Sequence, residues 1–120
     1  MPQRVLMVED DTVCARIVSL VLTSAGHRLR IAASIDAARE ALAQERFDTV
    51  ILDINLPDGN GLHLLRDMRC SAGYEPLVIV LSGLKQEISR TQGRAAGASL
   101  YLTKPFSPGF LLDQIQSLAR

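Results

Sequence analysis

Residues 77–81 read LVIVL, five apolar residues with no polar break. A strand with one wet face alternates apolar and polar side chains. An unbroken run of this length therefore predicts a strand covered on both faces, as in parallel sheets flanked by helices. Residues 4–8 (RVLMV) and 47–52 (FDTVIL) read as strands too, residues 27–33 alternate like one, and 99–102 make a short fifth. The segments between them have helical spacing. Residues 12–25 place Val13, Ile17, Leu20 and Val21 near a helical period, and Gly26 follows as a stop. Ser34 is a good N-cap for 35–44, with Ala38, Ala41 and Leu42 on one face. Residues 62–70 carry Leu62, Leu65 and Met68 at helical spacing, and 86–96 form a weaker helix ending near Gly97. Pro108 suits the first turn of a last helix over 108–118. The order βαβαβαβαβα predicts an α/β fold: a parallel sheet, right-handed crossovers and helices on both faces.

The 120 residues fit one domain spanning 1–120, and a hydrophobic fraction of 48% supports a real core. No apolar run approaches the roughly 20 residues of a membrane span. The start, MPQRVLMVEDD, turns acidic straight after its apolar run, with no cleavage site. It is not a signal peptide, and the expected location is cytoplasmic. Thirteen Lys and Arg balance thirteen Asp and Glu, which gives no electrostatic reason for direct nucleic-acid binding. Cys14 and Cys70 lack metal-ligand spacing and read as buried or half-buried free thiols. His27 and His63 read as isolated packing or surface residues, Met7 and Met68 as core filler, and Phe106 and Phe110 as anchors of the last helix.

The chemistry gathers where strands end. VILDINLPDGNG runs three apolar residues into Asp53 and then breaks into a turn. Asp53 either stops a strand or caps a helix, or it stands at the open rim of a parallel sheet, where ligands bind. Glu9, Asp10 and Asp11 follow the first strand, Ser82 and Gly83 the fourth, and Thr103, Lys104 and Pro105 the fifth. If these strands are neighbours, several carboxylates face a lysine and a hydroxyl. Carboxylates packed together resist ionisation unless a cation neutralises them. Oxygen ligands with room for water suit Mg²⁺. Lys104 suits a phosphate oxygen, Ser82 donates to another, and Asp53 is a carboxylate able to attack a phosphoryl group. Phosphoryl transfer needs positioning and charge neutralisation more than acid–base groups. Each piece alone has an ordinary reading: an acidic doublet caps helices, Ser-Gly makes turns, and Lys-Pro is a common dipeptide. Their shared position at one end of successive strands is what points to chemistry.

VLMVEDD, VILDINLPDGNGL, VIVLSG and ASLYLTKPF occur in the order and near the spacing of the receiver domain of two-component response regulators. The chain resembles that family over its whole length. The resemblance implies a flavodoxin-like (βα)5 doubly wound sandwich, with a five-stranded parallel sheet flanked by five helices. It implies that Asp53 is the phosphoacceptor and that Glu9, Asp10, Asp53 and the backbone carbonyl of Asn55 hold Mg²⁺. Asp11 is then the helix cap. Ser82 and Lys104 take the places of the family's hydroxyl and phosphate-pairing lysine, Tyr101 that of its switch aromatic, and the Lys104–Pro105 peptide is expected to be cis. The implied partners are a sensor histidine kinase or histidine phosphotransfer protein, and an effector domain or downstream protein. That effector reads the face made by 86–96, 99–102 and 108–118. No separate enzymatic activity is implied beyond the domain's own phosphotransfer and autodephosphorylation. Two departures stand out: Gly83 follows Ser82 where the family usually has Ala, which predicts a looser loop, and the Asp53-to-Ser82 spacing is slightly short.

Three rivals are weighed on residues. A haloacid-dehalogenase-type phosphatase needs a second Asp two residues after its nucleophile, and Asn55 stands there. A flavodoxin needs a phosphate-cradling loop after strand one, where Glu9, Asp10 and Asp11 repel phosphate. A receiver-like interaction module that is never phosphorylated shares the fold, and only the complete acid, hydroxyl and lysine set argues against it.

Overall fold

A computed structural model describes residues 2–70, 73–82 and 98–118. The element order is β1 (Arg4–Val8), α1 (Thr12–Ser24), β2 (Arg28–Ala32), α2 (Ile35–Gln44), β3 (Thr49–Asp53), α3 (Gly61–Arg69), β4 (Leu77–Ser82), β5 (Leu100–Thr103) and α4 (Pro108–Leu118). All five strands run parallel, in the order β2-β1-β3-β4-β5. The expected helix over 86–96 and the glycine at 83 lie outside the described residues.

The unbroken apolar strands serve both faces by alternation. Leu6, Val8, Val50, Leu52, Val78 and Val80 pack with Ala38 and Ala41 of α2 and Leu62, Leu65 and Met68 of α3. Val5, Met7, Ile51, Ile79 and Leu81 pack the opposite side, with Ala15, Val18 and Leu22 of α1 and Leu111 and Ile115 of α4. Residues i and i+2 share a face of a strand, so one run fills two cores. Met7 and Met68 are buried filler, as expected.

Several sequence expectations need correcting. The core stripe of α1 is Ala15, Val18 and Leu22, whereas Val13, Ile17 and Leu20 are exposed. That helix is apolar on two sides, so its hydrophobic period alone does not tell which side meets the sheet. Phe106 packs on the core as expected, but Phe110 is exposed, because α4 turns Leu111 inward instead. Cys14 is half-buried, yet Cys70 caps the end of α3 in the open. His27 is buried, and its Nδ1 accepts the Gln3 N–H at 3.0 Å.

Between β3 and α3 the chain makes a tight antiparallel ribbon, Asn55–Leu56 against Gly59–Asn60. Asn60 then caps α3, accepting the Leu62 N–H at 2.8 Å. Gly61 is required by space: a Cβ there would lie 2.2 Å from the backbone oxygen of Asp53. Gly61→Ala is expected to destabilise the fold by about 1–3 kcal/mol, since backbone must shift to admit the methyl. Urea denaturation of the variant measures this, and an unchanged midpoint would contradict the close approach.

Candidate functional site

Strand register builds the site. Val8 pairs with Leu52, so the next residues, Glu9 and Asp53, emerge side by side. Asp53 itself pairs with Leu81, and Ser82 pairs with Thr103, which puts Lys104 one step beyond. The chain leaves β1 for β2 on one side and returns to β3 on the other. The gap between β1 and β3 is thus the topological switch point, and it opens at the carboxyl ends of the strands.

One carboxylate oxygen from each of Glu9, Asp10 and Asp53 lies within 4.8 Å of the others. Glu9 and Asp53 are buried and Asp10 is exposed. Lys104 Nζ bridges the two buried acids, donating to Glu9 Oε2 at 2.7 Å and Asp53 Oδ2 at 2.9 Å. The other Asp53 oxygen, Oδ1, accepts the Asn55 N–H at 3.0 Å, which places the Asn55 backbone at the site. Asp11 Oδ1 accepts the N–H groups of Val13 and Cys14 at 3.0 and 3.3 Å, so it caps α1. Ser82 is buried, and its Oγ accepts the Tyr101 hydroxyl at 2.5 Å. The Tyr101 ring is half-buried against the α2/α3 core. The Lys104–Pro105 peptide is cis. Beside Lys104, a groove runs between α1 and α4 past Val13, Ile17, Pro105, Phe106 and Pro108.

Burial pushes the Glu9 carboxyl up to about 7, with Asp53 adding to the rise and the Lys104 hydrogen bond opposing it. Burial works against the charge on Lys104, but its bonds to Glu9 and Asp53 outweigh that and hold its pKa above the ordinary value. Burial, with nearby Glu9, also raises the Cys14 thiol to about 11, which leaves it protonated and a poor nucleophile.

A pH dependence follows. Between the ordinary carboxyl value of 4.5 and about 7, the unfolded chain loses the Glu9 proton while the folded one keeps it. Metal-free stability should therefore fall as pH rises through that window and level off above it. Lys104, raised from 10.5, keeps its proton throughout the window, so its own titration adds no slope. Asp58 is held below its ordinary 3.8 by hydrogen bonds from Ile35 and Asp36, so its contribution is complete before the window opens. Chemical denaturation in chelator at pH 5 and pH 8 should show the fall in the wild type, and Glu9→Gln should flatten it.

Sequence reasoning missed Asp58 and Asn60, which hold the ends of the ribbon. Asn60 was legible as an Asx residue one position before an apolar helical run. Asp58 was not, because its partners lie on α2.

Together these features define a flavodoxin-like α/β domain that carries an acidic, lysine-bridged pocket where a phosphate-cradling loop would otherwise stand. Residues 5–116 match the family described as the response regulator receiver domain. The chain is 33% identical over 118 residues to the TorCAD operon transcriptional regulatory protein TorR of Escherichia coli K12, covering 98% of this chain and 50% of that protein. It is 32% identical over 120 residues to the cell cycle response regulator CtrA of Brucella ovis, again covering 98% and 50%. A response regulator crystal structure from Chloroflexus aurantiacus J-10-fl superposes with a TM-score of 0.91 at 30% identity, covering 99% of this chain and 98% of that one. The chain belongs to the receiver domain family of two-component response regulators. It spans about half the length of the curated relatives it matches, at 50% of each. Among the described residues no helix is long and apolar enough to cross a membrane.

Proposed function

We propose that the chain is a phosphorylation-activated switch of a two-component phosphorelay, with Asp53 as phosphoacceptor. The donor is a phosphohistidine of a sensor histidine kinase or a histidine phosphotransfer protein. The observation that carries this reading is the Lys104 ammonium, held between Glu9 and Asp53 at the switch point of the sheet. A salt-bridged pair buried merely for stability needs one acid. Here two buried acids and an exposed third converge on one rim.

The donor set fits Mg²⁺. Its atoms are all oxygens, and three carboxylates converge on a single lysine. Glu9, Asp10 and Asp53 would hold the ion, with the Asn55 carbonyl beside them. When bound, it supplies charge neutralisation for the carboxylates and the incoming phosphoryl oxygens.

The remaining steps belong to the chain. A carboxylate oxygen of Asp53 forms the P–O bond as the donor's P–N bond breaks, and that electron pair stays on the imidazole nitrogen. The Asn55 N–H and the strand end fix the attacking carboxylate. Lys104 then shares its charge with a phosphoryl oxygen. Ser82 accepts from Tyr101, so its own O–H proton remains for a second phosphoryl oxygen. Drawing Ser82 inward draws Tyr101 with it, which alters the surface around β5 and α4 and passes the signal to an effector domain or downstream protein. The groove between α1 and α4 borders Lys104, so a donor reaching Asp53 covers it.

Intact-protein mass spectrometry after incubation with acetyl phosphate, with and without Mg²⁺, tests the reading. One Mg²⁺-dependent phosphoryl adduct is expected. No adduct under any condition favours an interaction module that works without phosphorylation.

A further inference from the structure

Asp58 reaches out of the turn after Asp53 and holds the first turn of α2. Its Oδ1 accepts the Ile35 N–H at 2.8 Å and its Oδ2 the Asp36 N–H at 3.0 Å. Yet α2 already has its own N-cap: Ser34 Oγ accepts the Ala37 N–H at 3.1 Å. The Asp58 side chain is exposed, so water would otherwise serve those two N–H groups, and the gain to α2 alone is small.

The bonds have a larger effect on the other partner. Pro57 and Asp58 are the turn of the ribbon that pairs Asn55–Leu56 with Gly59–Asn60. The base of that ribbon is tied by two bonds to the end of β3 from which it grows. Asn55 donates to Asp53 Oδ1 at 3.0 Å, and Gly61 N–H donates to the Ile54 oxygen at 2.8 Å. Its tip reaches α2, where Asp58 supplies the two bonds to Ile35 and Asp36. Gly59 lies against Ile35, where a Cβ would come within 3.1 Å of Ile35 Cδ1, so the tip is seated by packing as well. Two-stranded ribbons this short have little stability of their own.

The geometry points to Asp58 as a positioning residue: by clamping the ribbon to α2 it places the Asn55 backbone beside Asp53 and so sets the affinity of the acidic pocket for Mg²⁺. This rests on the reading of Glu9, Asp10 and Asp53 as the Mg²⁺ site. Asp58 bonds to α2, not to a ligand, and acts only through the segment that carries the Asn55 carbonyl. Its lowered pKa keeps it ionised, so the clamp holds at neutral pH.

The test compares Asp58→Ala, Asp58→Asn and Ser34→Ala with the wild type. Three quantities are read: Mg²⁺ affinity of the unphosphorylated chain by titration calorimetry, the thermal midpoint, and the Mg²⁺ dependence of labelling by acetyl phosphate. Asp58→Ala should weaken Mg²⁺ binding about tenfold, with labelling restored by raising Mg²⁺. Asp58→Asn keeps one acceptor oxygen and should fall between. Ser34→Ala should lower the thermal midpoint while leaving Mg²⁺ affinity unchanged. Unchanged Mg²⁺ affinity in Asp58→Ala, or equal weakening in Ser34→Ala, would reduce Asp58 to a helix cap and overturn the inference. A wild type that binds no Mg²⁺ and takes no phosphoryl group would instead overturn the functional reading beneath it.

Discussion

Asp53→Asn should take no phosphoryl group from acetyl phosphate in Mg²⁺ conditions that label the wild type, and it should still fold. The substituted amide keeps an oxygen able to accept from the Asn55 N–H, which now bonds Asp53 Oδ1 at 3.0 Å. What it loses is the carboxylate oxygen that the proposed reading assigns to the new bond, so labelling should fall to nothing instead of slowing. Folding is expected to hold or improve. Asp53 is one of the groups that raise Glu9, both by hydrogen bond and by charge, so neutralising it lets Glu9 ionise at lower pH beside Lys104. The variant's metal-free stability should then vary less between pH 5 and pH 8 than the wild type's. Intact mass spectrometry and denaturation in chelator read the two effects separately. An adduct forming at the wild-type rate would sink the assignment of Asp53.

Lys104→Met is the second large effect. The lysine side chain is 26% exposed, while Glu9 is 0% and Asp53 8% exposed at theirs, so these are not surface ion pairs. Methionine keeps a similar apolar stem but removes the cation shared by both acids. Breaking a buried pair from one side leaves uncompensated charge and costs about 3–5 kcal/mol. The cost should be largest at pH 8. It should shrink toward pH 5, where Glu9, raised to about 7 in the wild type, holds a proton and no longer needs the cation. Urea denaturation of metal-free protein at the two pH values is the measurement. A loss under about 1 kcal/mol at pH 8 would place the bridge among ordinary surface pairs.

The fold was legible because the strands speak plainly. LVIVL has no solvent-facing position to fill, and its buried residues do pack on both faces. Ser34 as a cap and the bounds of α2 and α4 follow from local chemistry, so they could be read locally. Glu9, Asp53, Ser82 and Lys104 were legible as a set because a parallel sheet brings its carboxyl ends to one rim. The failures share a cause. Which side of α1 meets the sheet is decided by the partner surface, which takes small Ala15 and leaves Val13 and Leu20 outside. The grip of Asp58 on α2 joins residues 22 and 23 positions apart, and nothing near Asp58 announces it. Phe110 reads as a core aromatic by type, but helical rotation puts Leu111 and Ile115 in the core.

The bond from Lys104 to Glu9 joins residues 95 positions apart, nearly the whole described chain. It closes only after β1 and β5 have both docked on the strands between them. During synthesis Asp53 emerges long before the lysine that completes its surroundings, and a truncated chain ending before β5 has Asp53 without Lys104 beside it. On the proposed reading, a nascent chain or one cut before β5 has no competent acceptor site until the sheet is complete.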